Sequence, residues 1–395
     1  MDGPMFRLLI PILLLMLTLW SVTTCSDSSQ RADIVFVTSG EVFTLDPQRM
    51  SYLGDMRMGA ALYEGLVRLD LERGGFEPAA ASHWETSDDG LTWLFHLRPE
   101  SRWSDGSPVT AHDFTWSWLR LLSPDTAADY SNLFFMIKGS RTFWEWRTAQ
   151  LETATAEGAT PNGPALWEAA EQHFIEHVGI EAVDALTLRI HLEHPVPWLL
   201  DLLAFAPASP VHRPTVEGWP AGEHDTSVPW HDLPAPPWSS RRFITFDDTS
   251  GRLQQNHLWA RPGVLVGNGP YVLETWRYKR DMRLRRSPTW RDPKAVLNES
   301  IATVTIEDPN TAVLAYETGS VDWVNGVNVD YRADLIAQNR RGIRNDVHVV
   351  PAFATDFFSF NCREVLPVDK LNPFASAGVR RAFARAVDRA QIVEH

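Results

Sequence analysis

Apolar and polar residues alternate with a period of two in several short stretches, which is typical of strands with one buried face. The β-branched run "ADIVFVT" begins at Ala32, and a turn follows at Asp46-Pro47. The stretch "GLTWLFHLRP" places Trp93, Phe95 and Leu97 on one face of a half-buried strand. Further strands are predicted in "LTLRIHL", "YVLETW", "MRLRRS" and "IATVTI".

A second pattern, with apolar residues three and four positions apart, predicts helices. In "TAHDFTWSWLRLL", Thr110 and Asp113 have the spacing of a capping box, in which each side chain bonds a free amide at a helix start. Phe114 and Trp118 follow at helical spacing, and His112 is expected to face solvent on the first turn. The clustered Ser, His and Asp therefore indicate a helix start, because a catalytic triad needs partners brought together by the fold.

The last predicted helix, "SAGVRRAFARAVDRAQIVEH", has Ser376 as N-cap and an apolar stripe that includes Val379, Phe383 and Val387. Asp388 is expected to cap a further helix, in which the sequence stops. A natural domain rarely ends one turn into a helix, so we expect the fold to be C-terminally incomplete. We also expect the 395-residue chain alone to bind ligand poorly and to aggregate through its uncovered stripe.

Two stretches lack regular periodicity. The stretch from Ala206 to about Trp238 is dense in Pro, Trp and His, which predicts a long surface insertion or loop with little regular structure. At the N-terminus, Arg7 precedes an apolar run, so residues 1–24 are interpreted as an export signal. The sequence before Cys25 is similar to a bacterial lipoprotein box, which implies that Cys25 is lipidated. Residues 25–31 would then form a tether. Thr24 departs from the small residue usual there, so plain secretion remains the alternative.

Composition narrows the class of protein. A chain of 395 residues predicts two or three domains, and a net charge of −14 repels nucleic acid phosphates. The 17 Trp residues suit pockets that hold peptides or sugars. Cys362 is the only cysteine besides Cys25, and we expect it to be a partly buried thiol.

An enzymatic alternative comes from "HFIEH". His173, Glu176 and His177 fit the spacing of a zinc metallopeptidase helix, which also needs a third ligand and apolar surroundings. The neighbouring residues are polar, so we expect both histidines to be exposed, with no metal site, no cofactor and no hydrolysis of peptides.

Taken in order, several segments resemble the solute-binding proteins of bacterial peptide importers, the oligopeptide/dipeptide-binding family known as solute-binding protein family 5. The resemblance covers nearly all of the mature chain except the insertion. The segments are "LDP" (45–47), "LYEGLVRLD" (62–70), "HWETSDDGLTWLFHLRPESRWSDGSPVTAHDFTWSWLR" (83–120), "HPVPWLL" (194–200), "VGNGPYVLETW" (266–276), "YETGSVDWV" (316–324) and "NPFASAGVRRAFARAVDRAQIVE" (372–394).

The resemblance implies an α/β fold, a two-lobed periplasmic-binding-protein-like clamp of type II with an extra domain in the first lobe. It also implies a monomer that captures short peptides outside the inner membrane and delivers them to the permease and ATPase subunits of an ABC importer. Oligosaccharides or a metal complex remain alternative ligands. The implied domains are lobe 1 (32–63 and 190–353, with insertion 206–256), its extra domain (64–189) and the start of lobe 2 (354–395).

Ligand contacts are carried over only where the segments match. Relatives approach the peptide after "LDP", use an arginine where this chain has Ala60, and line the cleft with a tyrosine and an amide-rich loop, "NGVN". Arg57 is expected to replace the missing arginine. At the lobe junction, Phe357 and Phe358 cannot both point inward on a strand. The predicted ligand-binding residues are Ser51, Tyr52, Leu53, Arg57, Tyr130, Asn325, Gly326, Val327, Asn328, Asp356, Phe357 and Phe358.

Overall fold

A computed structural model describes residues 31–70, 73–156, 160–220, 227–349, 357–366 and 370–394. The predicted signal, Cys25 and Asp356 lie outside these residues. The chain forms two compact units, and the boundary between them lies between Asn328 and Val329. Among the described residues, every helix is too short or too polar to span a bilayer.

Twelve strands and ten helices are described, apart from short 3-10 turns. The strands are β1 (Ile34–Thr38), β2 (Val67–Leu69), β3 (Phe76–Pro78), β4 (Ala81–Thr86), β5 (Thr92–Leu97), β6 (Ile180–Asp184), β7 (Thr187–His191), β8 (Ile244–Phe246), β9 (Leu253–Gln255), β10 (Tyr271–Arg277), β11 (Asp281–Arg286) and β12 (Ser300–Thr305). The helices are α1 (Leu53–Leu62), α2 (Ala111–Leu122), α3 (Ser140–Ala156), α4 (Gly163–His177), α5 (Leu199–Leu203), α6 (Arg213–Glu217), α7 (Pro309–Glu317), α8 (Val329–Arg340), α9 (Ala377–Arg385) and α10 (Arg389–Glu394).

The first unit contains two four-stranded sheets. One has the order β1-β12-β11-β10, with β1 parallel to β12 and the other pairs antiparallel. Trp323 extends its edge, because its carbonyl accepts a 3.0 Å hydrogen bond from the Val37 amide. Helix α1 packs against β10 and buries Met58 and Leu62. The start of α1 is thereby held beside this sheet.

The other sheet is antiparallel, with the order β4-β5-β7-β6. Phe95 and Leu97 are buried on the inner face of β5, as the alternation predicted. Helix α2 packs on this sheet, and its predicted capping box is confirmed: the Asp113 carboxylate accepts a 2.7 Å bond from the Thr110 amide. The expectation for His112 is wrong, since its half-buried ring stacks 3.8 Å from that of His231.

The prediction of a surface loop from Ala206 to about Trp238 is wrong for the first part of that stretch, which contains α6 and buries Val211, Val216 and Trp219. The β8–β9 hairpin follows within the insertion 206–256. Glu217 is fully buried, where it accepts hydrogen bonds from Arg213 (2.9 Å) and Arg241 (2.7 Å). The pair between Arg213 and Glu217 lies within α6, whereas the pair between Arg241 and Glu217 joins residues far apart in sequence, which composition alone does not reveal.

In the second unit, both predicted cap residues lie where expected, but only Asp388 makes a capping hydrogen bond with its side chain. Ser376 precedes α9, and the Asp388 carboxylate accepts bonds from the Ala390 and Gln391 amides at 3.0 and 3.1 Å. The side chains of the predicted stripe, Val379, Phe383 and Val387, are exposed. Cys362 is also exposed, which corrects the expectation of a partly buried thiol.

Candidate functional site

The segment after "LDP" enters helix α1 and presents aromatic side chains to solvent. Tyr52 is the N-cap of α1, and the side chains of Tyr52 and Leu53 are 59% and 74% exposed. The Tyr52 ring lies 4.9 Å from that of Phe43. Exposed aromatic pairs of this kind offer flat apolar surface to a ligand.

A pocket of about 290 Å³ lies beside this aromatic pair. Its wall combines the segment before α1 with residues from three distant parts of the chain, including the end of β10. It is lined by Phe43, Thr44, Leu45, Arg49, Ser51, Tyr52, Asp55, Asp129, His257, Ala260, Arg261 and Trp276.

Asp55 is the buried acid of this pocket. Its Oδ1 accepts a 2.8 Å hydrogen bond from the Phe43 amide, whereas its Oδ2 is buried and has no hydrogen-bond partner. Burial raises the pKa of the Asp55 carboxyl, because it disfavours the charged form. Hydrogen bonding to the backbone of Phe43 and Thr44 opposes this rise in pKa. An unsatisfied buried acceptor is costly, and because Asp55 is 0% exposed, a ligand donor would reach Oδ2 only if the pocket wall opens.

Two arginines also line the pocket, Arg49 and Arg261. Arg49 donates a hydrogen bond to Nε2 of His257, which places the proton of a neutral ring on Nδ1, 3.9 Å from the Asp46 carboxylate. Burial lowers the pKa of His257 and so favours this neutral form. Arg261 stacks on Trp276, with its guanidinium carbon 4.5 Å from the ring centroid.

A buried network fixes the segment that carries the pocket. Arg120 donates to Asp46 at 2.8 Å and also to the Gln48 side chain. Gln48 in turn donates to the Ser209 carbonyl at 2.7 Å. The backbone before α1 is therefore tied both to helix α2 and to the chain that follows α5.

Arg57 lies on α1 beyond the pocket. Its guanidinium carbon is 5.3 Å from the Trp323 ring centroid, within the range of a cation–π contact. Burial lowers the pKa of Arg57. Within the described part of the chain, no ion pair occupies its guanidinium. Asn325 is exposed two residues beyond Trp323, so Arg57 and the start of the "NGVN" loop belong to one region of the first unit.

The structure brings some predicted residues together and leaves others apart. Ser51 and Tyr52 line the pocket, and the Ser51 hydroxyl donates to the Asp129 carboxylate. Tyr130 follows Asp129 and packs edge-on against Phe205, with ring centroids 5.0 Å apart.

The other predicted residues lie outside the pocket wall. Gly326 is exposed, whereas Val327 and Asn328 are half-buried. Phe357 and Phe358 belong to the second unit, and their side chains are 77% and 85% exposed.

Sequence reasoning missed Asp55, Asp129, His257, Arg261 and Trp276. Asp55 and Asp129 each lie within three residues of a predicted contact, so their position in the sequence could have identified them. His257, Arg261 and Trp276 come from beyond the segment interpreted as a loop, and only the tertiary fold joins them to the pocket.

The alternative zinc helix is not supported by the geometry. His177 is exposed as expected, but His173 is half-buried and stacks 3.9 Å from the Trp146 ring. Within the described part of the chain, no third His, Cys, Asp or Glu joins this pair in a three-ligand group.

Comparison with known families shows which class of protein this α/β chain belongs to. The family model described as "Bacterial extracellular solute-binding proteins, family 5 Middle" matches residues 75–395. The chain therefore belongs to this family of solute-binding proteins.

Curated relatives include two proteins of Escherichia coli (strain K12). The periplasmic oligopeptide-binding protein OppA is 28% identical over 366 residues, which is 92% of this chain and 54% of OppA. The periplasmic murein peptide-binding protein MppA is 26% identical and covers 93% of this chain and 55% of its own length. The chain thus spans about half the length of the curated relatives that it matches.

Solved structures give the same result. Haemophilus influenzae OppA, in complex with RPPGFSPFR, has a TM-score of 0.58 and 26% identity and covers 78% of this chain and 50% of its own. OppA of Burkholderia pseudomallei has a TM-score of 0.58 and 25% identity, covering 78% and 49%. The predicted α/β periplasmic-binding-protein fold class is confirmed.

Proposed function

We propose that this chain belongs to the substrate-binding component of an ABC-type importer, which captures short peptides outside the inner membrane and delivers them to a permease. The observation that carries the proposal is the pocket at the start of α1, where Ser51 and Tyr52, two predicted contacts, join the unsatisfied carboxylate of Asp55. The peptide bound to the similar Haemophilus OppA supports the ligand class.

The chemistry of the region suits a peptide. An unselective binder bonds the peptide main chain and leaves its side chains in roomy pockets. Asp55 Oδ2 would accept a hydrogen bond from a ligand amine or amide, and the aromatic pair Phe43–Tyr52 would cover apolar ligand atoms. Arg57, which has no ion pair among the described residues, would attract a ligand carboxylate. Tyr130, the "NGVN" loop, Asp356, Phe357 and Phe358 remain proposed contacts from the family resemblance.

Peptide binding is tested by calorimetry with a mixed pool of tripeptides to pentapeptides. The pool is titrated into the natural protein as its host expresses it and, in parallel, into residues 26–395. The natural protein should bind at micromolar or lower dissociation constants, about 8 kcal/mol or more. A maltooligosaccharide and a nickel chelate are titrated alongside, and tight binding of either without peptide binding would replace the peptide proposal with that alternative.

Two variants test the pocket itself. In Asp55→Asn the Oδ1 bond to Phe43 is kept and only the unpartnered oxygen changes, so weaker binding at unchanged melting temperature would show a ligand contact. Arg57→Met should weaken binding of peptides with a free carboxylate more than of amidated ones. Ile175→Ala is the control, since Ile175 is 70% exposed on α4, away from the pocket wall. Peptide binding that none of these changes alters would leave the function standing and remove the pocket from it.

Export and anchoring form a separate part of the proposal. Several relatives are described as periplasmic, and we propose that residues 1–24 direct export and that Cys25 is lipidated. Radiolabelled palmitate should enter the precursor in a bacterial host, and Cys25→Ser should abolish the label. Label that survives this change, or a mature protein that starts after Cys25, would favour plain secretion.

A further inference from the structure

A cluster of two histidines and a glutamate lies on the outer face of the β4–β5 pair, apart from the ligand pocket. His83 lies directly opposite His96 in the antiparallel register, and Glu85 is two residues further along β4 on the same face. One potential ligand atom from each of the three side chains falls within 4.8 Å of the others. The side chains of His83 and Glu85 are exposed, whereas that of His96 is half-buried.

A neighbouring serine sets the protonation of His83. The Ser82 hydroxyl donates its one proton to the His96 carbonyl at 3.0 Å, and its oxygen lies 2.9 Å from Nδ1 of His83. Nδ1 of His83 must therefore carry the proton that it donates to the serine oxygen. The lone pair of the neutral ring is then on Nε2, which faces away from this bond. A hydrogen bond to the other ring nitrogen is the usual way in which proteins orient a metal-binding imidazole.

The nitrogen of His96 that faces the cluster has no hydrogen-bond partner. Nε2 of His96 is buried and lies 3.7 Å from Oε1 of Glu85, too far for a hydrogen bond. A buried nitrogen without a partner loses its hydration and gains nothing in return. A cation placed between this nitrogen and the carboxylate would satisfy both groups.

We propose that His83, Glu85 and His96 form a binding site for a late first-row divalent cation such as zinc. Imidazole nitrogen and carboxylate oxygen are ligands that zinc accepts at about 2.0–2.2 Å, and water would complete the coordination. The two rings are stacked, with centroids 4.4 Å apart and planes 12° apart, whereas a metal lies in the plane of each imidazole that binds it. Binding therefore requires a rotation of the exposed His83 ring toward Glu85.

Such a cation would join an edge strand to its neighbour. β4 is at the edge of its sheet, and its pairing with β5 has an irregular register between Ala81 and His83. Ligands from both strands would hold this irregular pairing in place, and the folded state would gain stability from mass action. This site shares no residue with the peptide pocket, so its test is independent of the proposed function.

The test is a zinc titration of the purified, untagged chain after treatment with a chelator. Calorimetry should show one zinc bound at a micromolar dissociation constant, and zinc should raise the melting temperature. His96→Ala and Glu85→Gln should each weaken this binding by about tenfold or more, because each removes one of three ligands. Cobalt provides a second readout, since its visible absorption should show nitrogen ligation that is lost in His96→Ala.

The matched control is the double variant His173→Ala/His177→Ala. This pair is a second example of two neighbouring imidazoles, on the surface of helix α4, with ring centroids 4.1 Å apart. Zinc affinity and the rise in melting temperature should be unchanged in this variant. Three results would each overturn the proposal. They are loss of zinc binding in His173→Ala/His177→Ala, unchanged zinc binding in both His96→Ala and Glu85→Gln, and no zinc binding by the wild type below about 100 μM.

Discussion

At the residue scale, the most demanding buried interaction is the pair between Arg147 and Asp125. Both side chains are fully buried, and Arg147 donates two hydrogen bonds of 2.9 Å to the two oxygens of Asp125. A third bond of 3.0 Å goes to the Leu166 carbonyl at the start of α4. The pair thus links helix α3 to helix α4 and to the turn after α2.

Removing Arg147 should be strongly destabilising. In Arg147→Met the aliphatic volume is kept, but the Asp125 carboxylate is left buried without its cation. The expected loss in the free energy of unfolding is about 3 to 5 kcal/mol, measured by denaturant unfolding.

The double variant Asp125→Asn/Arg147→Met should recover part of this loss, because it no longer buries an unpaired charge. Arg141→Ala is the control and should change stability far less. Arg141 is on α3 like Arg147, and its guanidinium lies over the Phe135 ring. Equal effects of the changes at Arg147 and Arg141 would contradict the argument.

The same scale shows what sequence can predict about single residues. The Thr110–Asp113 cap was predictable because its partners are three positions apart and the geometry is local. The Arg147–Asp125 pair and the His83–His96 pair were not, because sheet register and helix packing bring these residues together. Expecting no metal site followed from looking for ligands within one helix, whereas the candidate cluster spans two strands.

At the element scale, the main departure from the sequence prediction lies in the first part of the insertion 206–256. Arg213 lies 2.8 Å from Glu171 on α4 and donates to Glu217 within the segment. Its guanidinium also lies 5.3 and 5.2 Å from the rings of Trp116 and Trp230. The abundance of Pro and Trp predicted a loop, but the contacts of Arg213 with Glu171 and Trp116 attach the segment to helices α4 and α2.

Arg213→Ala should therefore release this segment from the rest of the first unit. The partly buried Glu171 would lose its ion pair, the buried Glu217 would keep only Arg241, and the expected local loss is about 3 kcal/mol. Hydrogen exchange should become faster over residues 206–256 and stay unchanged in the β1-β12-β11-β10 sheet. Arg252→Ala, at an exposed position of the same segment, is the control. Faster exchange everywhere, or nowhere, would show that Arg213 does not anchor the segment.

At the scale of the whole molecule, the fold class followed from the order of many matched segments, and most strands and helices followed from periodicity. Only part of the pocket could be predicted from the sequence. Its Ser51 and Tyr52 follow the matched segment "LDP", whereas His257 and Arg261 lie outside the matched segments, and only the packing of the first unit brings them and Trp276 to the pocket. The periodicity of apolar residues predicts which face of a helix or strand is buried, but it does not predict which other residues pack against that face.

Stability as a function of pH is a property of the whole molecule that the buried groups determine. Burial raises the pKa of Asp113 to about 7, above its value of 3.8 when unfolded, although the carboxyl accepts a 2.7 Å bond from Trp230. Between these values the folded chain holds a proton that the unfolded chain has lost. The contribution of Asp113 to stability is therefore full below about pH 4 and is lost as the pH rises through 7, by about 1.4 kcal/mol per pH unit.

The histidines act in the opposite direction. Burial lowers the pKa of His112, His231 and His257, so the stability that their neutral forms contribute is present above pH 6.5 and is lost as the pH falls through their folded values. The two effects overlap in the wild-type curve. A comparison with Asp113→Asn separates them, because the histidine contribution is common to both proteins and cancels in the difference.

We expect the free energy of unfolding of the wild type minus that of Asp113→Asn to decrease steadily from pH 4 to pH 7 and then to level off. The amide of the variant faces either the Trp230 or the Thr110 donor, which costs about 1 to 3 kcal/mol at every pH and shifts the difference without changing its slope. Urea unfolding at half-unit pH intervals measures the difference. Two curves that stay parallel across this range would mean that Asp113 is ionised in the folded chain throughout, and that its three hydrogen bonds outweigh its burial.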